Sequence, residues 1–180
     1  MALGATVYNI DIDLSDSDRN VYESLALRVA RHPSESEEYL WARVLAYALE
    51  FADGIEFSRG GISDPDEPPI AVRDLTGAYR SWIEIGAPDA DRLHKASKAS
   101  PRVAVYTQKD PAQWLNRIAG ERIHRADAIE IWALDRALLA ALTARLERRM
   151  SFSLSVSDHE LYVSIGSDTI AGSVTSVSLR

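Results

Sequence analysis

The chain has no cysteine in 180 residues, which removes disulfides, zinc–thiolate sites and thiol nucleophiles together. That absence fits a reducing cytosol, and a cytoplasmic location is the expectation. No apolar run approaches the ~20 residues that a membrane-spanning helix needs. The N-terminus also lacks a basic flank followed by a signal-type apolar block, so no membrane partner is expected. Cations are in short supply: 20 Lys and Arg against 27 Asp and Glu give a net charge of −7 and a pI near 5.1. Binding to phosphates by counterion release needs clustered cations. Nucleic acid is therefore expected to be a weak partner at most, held by a local basic strip. Familiar catalytic words are missing as well. There is no Walker glycine loop, paired-glycine dinucleotide motif, His-Glu-x-x-His or Gly-x-Ser-x-Gly. His32, His94, His124 and His159 are scattered, as histidines in ordinary hydrogen bonds are.

What is present suits one globular domain over residues 1–180, since 46% hydrophobic content can fill a core at this length. Residues 6–15 alternate, with Tyr8, Ile10, Ile12 and Leu14 on one face and Asn9, Asp11 and Asp13 on the other. Residues 21–30 repeat the pattern after a Ser-Asp-Ser-Asp turn, so the two runs predict a hairpin. Asp11 and Asp13 read as a solvated sheet face, because nothing near them in the sequence supplies further ligands. Ser34-Glu35-Ser36-Glu37 has the form of a capping box, which predicts a helix starting near Glu35 and reaching Ala52.

Beyond it, strand-like runs at 55–58, 81–85, 102–107 and 128–134 precede helices opened by Pro88-Asp89, Asp110-Pro111 and Asp135. The last of these helices carries a stripe of Leu138, Leu139, Leu142 and Leu146. Strand-helix alternation implies parallel crossovers. The serine-alternating tail from Phe152 to Leu179 predicts meander strands. The fold class is thus α/β (α+β): a central mixed sheet flanked by helices, with antiparallel strands added from both termini.

The stretch from Glu56 to Lys98 carries the chemistry. Glu84 interrupts an otherwise apolar strand, next to Ile83 and Ile85. A carboxylate there must be paired, metal-bound or protonated, because isolated buried charge costs several kcal/mol or more. Arg80 or Arg73 could pair with it across a solvated face. The other reading joins Glu84 to Asp64-Pro65-Asp66-Glu67-Pro68-Pro69, a proline-stiffened loop with three acids. Carboxylates in such a loop suit hard divalent ions, and Asp66 and Glu84 would then hold one metal.

Several words occur in order: Phe57-Ser58-Arg59-Gly60, Asp66-Glu67-Pro68, Asp74-Leu75-Thr76-Gly77, Trp82-Ile83-Glu84-Ile85-Gly86-x-Pro88-Asp89 and Arg92-Leu93-x-Lys95-Ala96. With Met1-Ala2-Leu3 and His32-Pro33-Ser34-Glu35-x-x-Glu38, they resemble the YaeQ family of small bacterial proteins. The resemblance runs from the first strand to about Leu134. It implies a compact variation on the restriction-endonuclease-like PD-(D/E)xK nuclease core, with an acidic site for Mg²⁺ or Mn²⁺ and no well-established reaction.

Nuclease cores of this type often bring an acid from the first helix to the metal, and Glu38 matches that position. The motif lysine two residues after the second acid is replaced by Gly86, and the nearest substitute is Lys95. Position 69 is proline where the motif could hold an aspartate. Two functions follow. One is a metal-dependent nuclease or phosphodiesterase using Glu38, Asp66, Glu84 and Lys95. The other is a non-catalytic binding or regulatory module that retains the nuclease-like core.

Overall fold

In this computed structural model, residues 4–59 and 64–179 are described. Gly60, the last residue of the Phe57-Ser58-Arg59-Gly60 word, lies outside them. In chain order the described residues form β1 (Thr6–Asp16), β2 (Val21–Arg31), α1 (Glu37–Leu49), β3 (Ile55–Phe57), β4 (Ile70–Arg73), β5 (Tyr79–Ile85) and α2 (Ala90–Ala99). There follow β6 (Val103–Thr107), α3 (Pro111–Ile118), a 3-10 turn (Ala126–Ala128), β7 (Glu130–Leu134), α4 (Arg136–Thr143), β8 (Arg149–Ser157), β9 (Glu160–Ile165) and β10 (Asp168–Val177). The fold is α+β with mixed strand pairing. The chain divides into two compact units, Met1–Trp41 with Leu134–Thr175, and Ala42–Ala133 with Ser176–Arg180.

In the first unit the strand order is β2-β1-β8-β9-β10. The expected hairpin forms, with Ile10 opposite Leu27 and Ile12 opposite Leu25. β8 lies parallel to β1, and β9 and β10 add antiparallel neighbours. Inward positions Ile10, Ile12, Leu14, Leu154, Leu161 and Val163 are buried. Each such side chain contributes ~1.5–3 kcal/mol on leaving water. Asp135 caps α4 by accepting hydrogen bonds from the backbone N–H groups of Ala137 and Leu138. The helix stops at Thr143, one turn short of the expected stripe, so Leu146 sits half-buried outside it.

α1 begins two residues later than its capping-box pattern suggests. The Ser36 hydroxyl, not that of Ser34, accepts from the Tyr39 N–H. The Glu35 carboxylate turns back to accept from the His32 N–H and is itself buried. Both arrangements satisfy donors that would otherwise be orphaned near a helix start. Leu40, Trp41, Ala42, Arg43, Val44, Leu45 and Ala46 are all buried, so this stretch of the helix is covered on every side rather than on one face.

In the second unit the order is β7-β6-β5-β4-β3. β5, β6 and β7 run parallel through α2 and α3, while β4 and β3 turn back antiparallel. β4 was not apparent from the sequence: Ile70-Ala71-Val72 is too short a run to signal a strand, and its pairing with β3 and β5 makes it one. Trp82, Leu93, Val105, Trp114 and Ile131 fill the core of this unit, and the Trp114 indole N–H donates to the Pro88 carbonyl. Gly54 closes the turn into β3 at φ +90, where an added Cβ would lie 2.0 Å from the Arg73 carbonyl oxygen. Gly54→Ala is expected to cost at least ~1–3 kcal/mol through left-handed strain alone, read as a lowered urea midpoint with unchanged slope.

Candidate functional site around Glu84

β5 delivers Glu84 to a buried position, 3% exposed, one residue before the strand ends. Gly86, Ala87, Pro88 and Asp89 then turn the chain into α2. Asp89 caps that helix by accepting from the Arg92 N–H at 2.8 Å. This places Arg92 in the first helical turn with its side chain directed back at the strand. The Arg92 Nε donates to Glu84 Oε1 at 2.8 Å, and the Trp82 indole N–H donates to the same oxygen at 2.6 Å.

Burial pushes the Glu84 carboxyl above the usual carboxylate range, against the opposing pull of the Trp82 hydrogen bond and the Arg92 charge. The expected partners have other roles. Arg73 bonds Glu56 and lies over the Tyr79 ring, while Arg80 is exposed.

Arg92 also fastens the acidic loop. Its Nη1 donates to the Asp64 carbonyl at 3.0 Å and its Nη2 to the Glu67 carbonyl at 2.7 Å. One turn later the Lys95 ammonium donates to the Pro65 carbonyl and pairs with the Asp66 carboxylate. The Lys95 hydrogen bond holds the Asp66 carboxyl below its usual range. Two cations on one face of α2 thus hold the loop, largely through its carbonyl oxygens. The loop is stitched down from within.

The sequence-predicted residues are distributed as follows. Asp66 and Lys95 meet. Glu84 is joined to their loop through Arg92 instead of sharing an ion with Asp66. Asp66 is open to solvent, its side chain 79% exposed, whereas Glu84 is buried. Glu38 is exposed in the first turn of α1 and belongs to the first unit, while the other three belong to the second. No group of three or more potential metal ligands occurs among the described residues. With Glu84 Oε1 accepting from both an indole and a guanidinium, and Asp66 held by an ammonium, this donor set does not fit a divalent ion. Gly86, at the motif lysine's position, has φ +93 and donates its N–H to the Tyr106 carbonyl. A lysine there would meet left-handed strain.

A second polar cluster of the same unit was not apparent from the sequence. Arg102 donates to both oxygens of Glu50, at 2.7 and 3.0 Å, and to both oxygens of Glu130, at 2.6 and 3.0 Å. The Tyr106 hydroxyl donates to Glu50 at 2.7 Å. Burial and the Glu50 charge push the Tyr106 phenol well above its ordinary value. The only sequence signal was charge at element ends: Glu50 just past α1, Arg102 just before β6 and Glu130 opening β7.

The family model described as YaeQ protein matches residues 1–174. The chain belongs to the YaeQ family. It is 34% identical over 167 residues to the uncharacterized protein YaeQ of Escherichia coli (strain K12), covering 91% of each chain. The Salmonella typhi YaeQ is 32% identical over 166 residues with the same coverage. Among solved structures, the YaeQ protein of Xanthomonas axonopodis pv. citri is similar with a TM-score of 0.87 and 33% identity, over 97% of this chain and 98% of that one. The Pseudomonas syringae YaeQ protein has a TM-score of 0.86 and 29% identity, over 97% and 96%. YaeQ membership thus rests on nearly the whole chain, including the last strands, where the sequence words were weakest. No helix among the described residues is long and apolar enough to cross a membrane.

Proposed function

We propose that this YaeQ chain works as a non-catalytic binding or regulatory module, keeping as its scaffold the nuclease-like core that the family resemblance implies. One observation carries the reading: the Arg92 guanidinium occupies the space between the strand glutamate and the acidic loop, bonding Glu84 and two loop carbonyls at once. A fixed cation there supplies the charge compensation that a Mg²⁺ or Mn²⁺ ion would otherwise bring. On this reading nucleic acid is at most a weak partner at physiological salt, consistent with a net charge of −7.

The rival is a metal-dependent phosphodiesterase with Asp66 and Glu84 as ligands, Lys95 stabilising developing charge and Glu38 completing the acidic set. Calorimetric titration of Mg²⁺ and Mn²⁺ into the parent, Asp66→Asn and Glu84→Gln separates them. The expected result is no saturable binding in any of the three. Binding in the parent that both substitutions abolish would overturn the module reading in favour of the enzyme.

A further inference from the structure

Besides the acidic loop, α2 holds a second stretch of chain, residues 119–125, which joins α3 to the 3-10 turn. Within that segment only Ile123 is buried, so few apolar contacts fix it in place. Polar contacts with α2 and its C-cap do so instead. The His94 Nδ1 accepts from the His124 backbone N–H at 3.0 Å. The His124 Nδ1 and the Ser97 hydroxyl are 3.2 Å apart. The Arg125 guanidinium donates to the Ser97 and Ser100 carbonyls, at 2.7 and 3.1 Å. These contacts work against strain, because Arg125 has φ 47 and ψ 45, a left-handed conformation unfavourable to any residue with a Cβ.

The half-buried His94 can make its bond in one protonation state only. Since Nδ1 accepts the His124 N–H, the proton of the neutral ring is on Nε2, and a second proton has Nδ1 as its only place. An imidazolium has two N–H groups and no acceptor, so a protonated His94 loses the bond. Its surroundings oppose that protonation. Partial burial holds the His94 imidazole below its ordinary value, and so do Lys98 one turn further along α2, Arg122 and His124 on the segment, against the weaker pull of Asp91 one turn earlier. Those are the charged groups that face it from the helix and from the segment.

We infer that His94 is a proton-operated latch on residues 119–125: neutral, it fastens the segment to α2, and on protonation it lets the segment go. The bond lost is the one that crosses from the helix to His124, and the charge gained stands against Lys98 on the helix and Arg122 on the segment. Both changes push the same way. With its folded value depressed, the latched state keeps its full stability above the unlatched value of about 6.5 and loses it as pH falls through the folded one. Mild acidification therefore loosens a surface that carries Arg122, His124 and Arg125. This inference goes beyond the binding-module reading and stands apart from it. The acidic loop hangs on Arg92 and Lys95, and the Mg²⁺ and Mn²⁺ titrations of the Glu84 site bear on neither His94 nor His124.

Nuclear magnetic resonance on the whole chain tests it, by following the His94 ring nitrogens together with the protection of the His124 amide from hydrogen exchange, corrected for the intrinsic rate at each pH. In the parent, protection at His124 should fall by up to about tenfold per pH unit below about pH 6.5, along the same curve as His94 protonation. The Val105 amide, in the middle of β6, should keep its protection. His94→Asn sets a carbonyl oxygen where Nδ1 stands and takes up no proton, so His124 should stay protected throughout. His94→Phe should leave His124 weakly protected even when the parent's imidazole is neutral. His124→Ala keeps the backbone N–H and should retain the parent's pH dependence. A flat parent profile, an unchanged pH dependence in His94→Asn, or its loss in His124→Ala would each overturn the proposal. A matching fall at Val105 would overturn it too, by making the event an opening of the whole fold.

Discussion

Replacing Arg92 with methionine is expected to destabilise the protein by about 3 kcal/mol at neutral pH, the cost of leaving a buried carboxylate without its counter-charge. For a chain of this size that is a fall in Tm of roughly 6–12 °C. The loss has two parts, an uncompensated Glu84 and an acidic loop that no longer has a guanidinium on its Asp64 and Glu67 carbonyls.

The pH dependence separates these parts. The folded state already holds the Glu84 pKa above its ordinary 4.5. A raised pKa means that stability is fully present below the unfolded value and lost as pH rises through the folded one. Without Arg92 the folded value rises further, so the gap between parent and variant should be wider at pH 7 than at pH 4. Adding Glu84→Gln to Arg92→Met should restore much of the loss at pH 7, since the amide carries no charge to bury. Paired denaturant melts at the two pH values, run as a double-mutant cycle, check this. Equal losses at both pH values would assign the whole effect to the loop carbonyls.

Arg102→Met is expected to have a comparable effect, about 3 kcal/mol, because it leaves Glu50, only 8% exposed, without a cation and Glu130 without its bidentate partner. Tyr106→Phe removes one donor to the Glu50 carboxylate and should cost roughly 1.5–3 kcal/mol, the range for hydrogen bonds to charged groups. Its alkaline behaviour gives a second readout. Tyr106 has its folded pKa raised above the ordinary 10.0, so the phenol's contribution is present below that value and lost as pH rises through the folded one. The parent should therefore lose stability more steeply than Tyr106→Phe above pH 10. Ultraviolet titration should show one of the seven tyrosines ionising only as the chain unfolds.

The sheet was largely legible in the sequence where burial is one-sided. Alternation in β1, β2 and β8 marked inward and outward faces correctly, because a period of two has a single structural meaning. Asp89, Asp110 and Asp135 announced three helices by cap chemistry that acts within a few residues. β4 escaped because its strand character comes from neighbours distant in the chain. At the site, the sequence showed that Glu84 needed a partner but not which one. Arg92 lies eight residues on, in a helical first turn where the dipole disfavours a cation. That mismatch was the signal for a specific anionic partner. Lys95 drew attention instead by standing in for a motif lysine, and its actual partner is the exposed Asp66.

The parallel pairing of β1 with β8 has a consequence for synthesis. Ser17 bonds Val156 across 139 residues, and Asp18 holds the Asp158 and His159 backbone N–H groups. On the ribosome the β1–β2 hairpin can close within microseconds. The free side of β1 must then wait until β8 (Arg149–Ser157) has emerged, while most of the second unit, contiguous from Ala42 to Ala133, is complete beforehand. For that interval an open strand edge is offered to other nascent chains, a hazard known for unpaired edges. The closing step is also a long-range one, which slows folding. Deleting β8 would therefore do more than remove one strand. It would leave β1 permanently without its parallel neighbour.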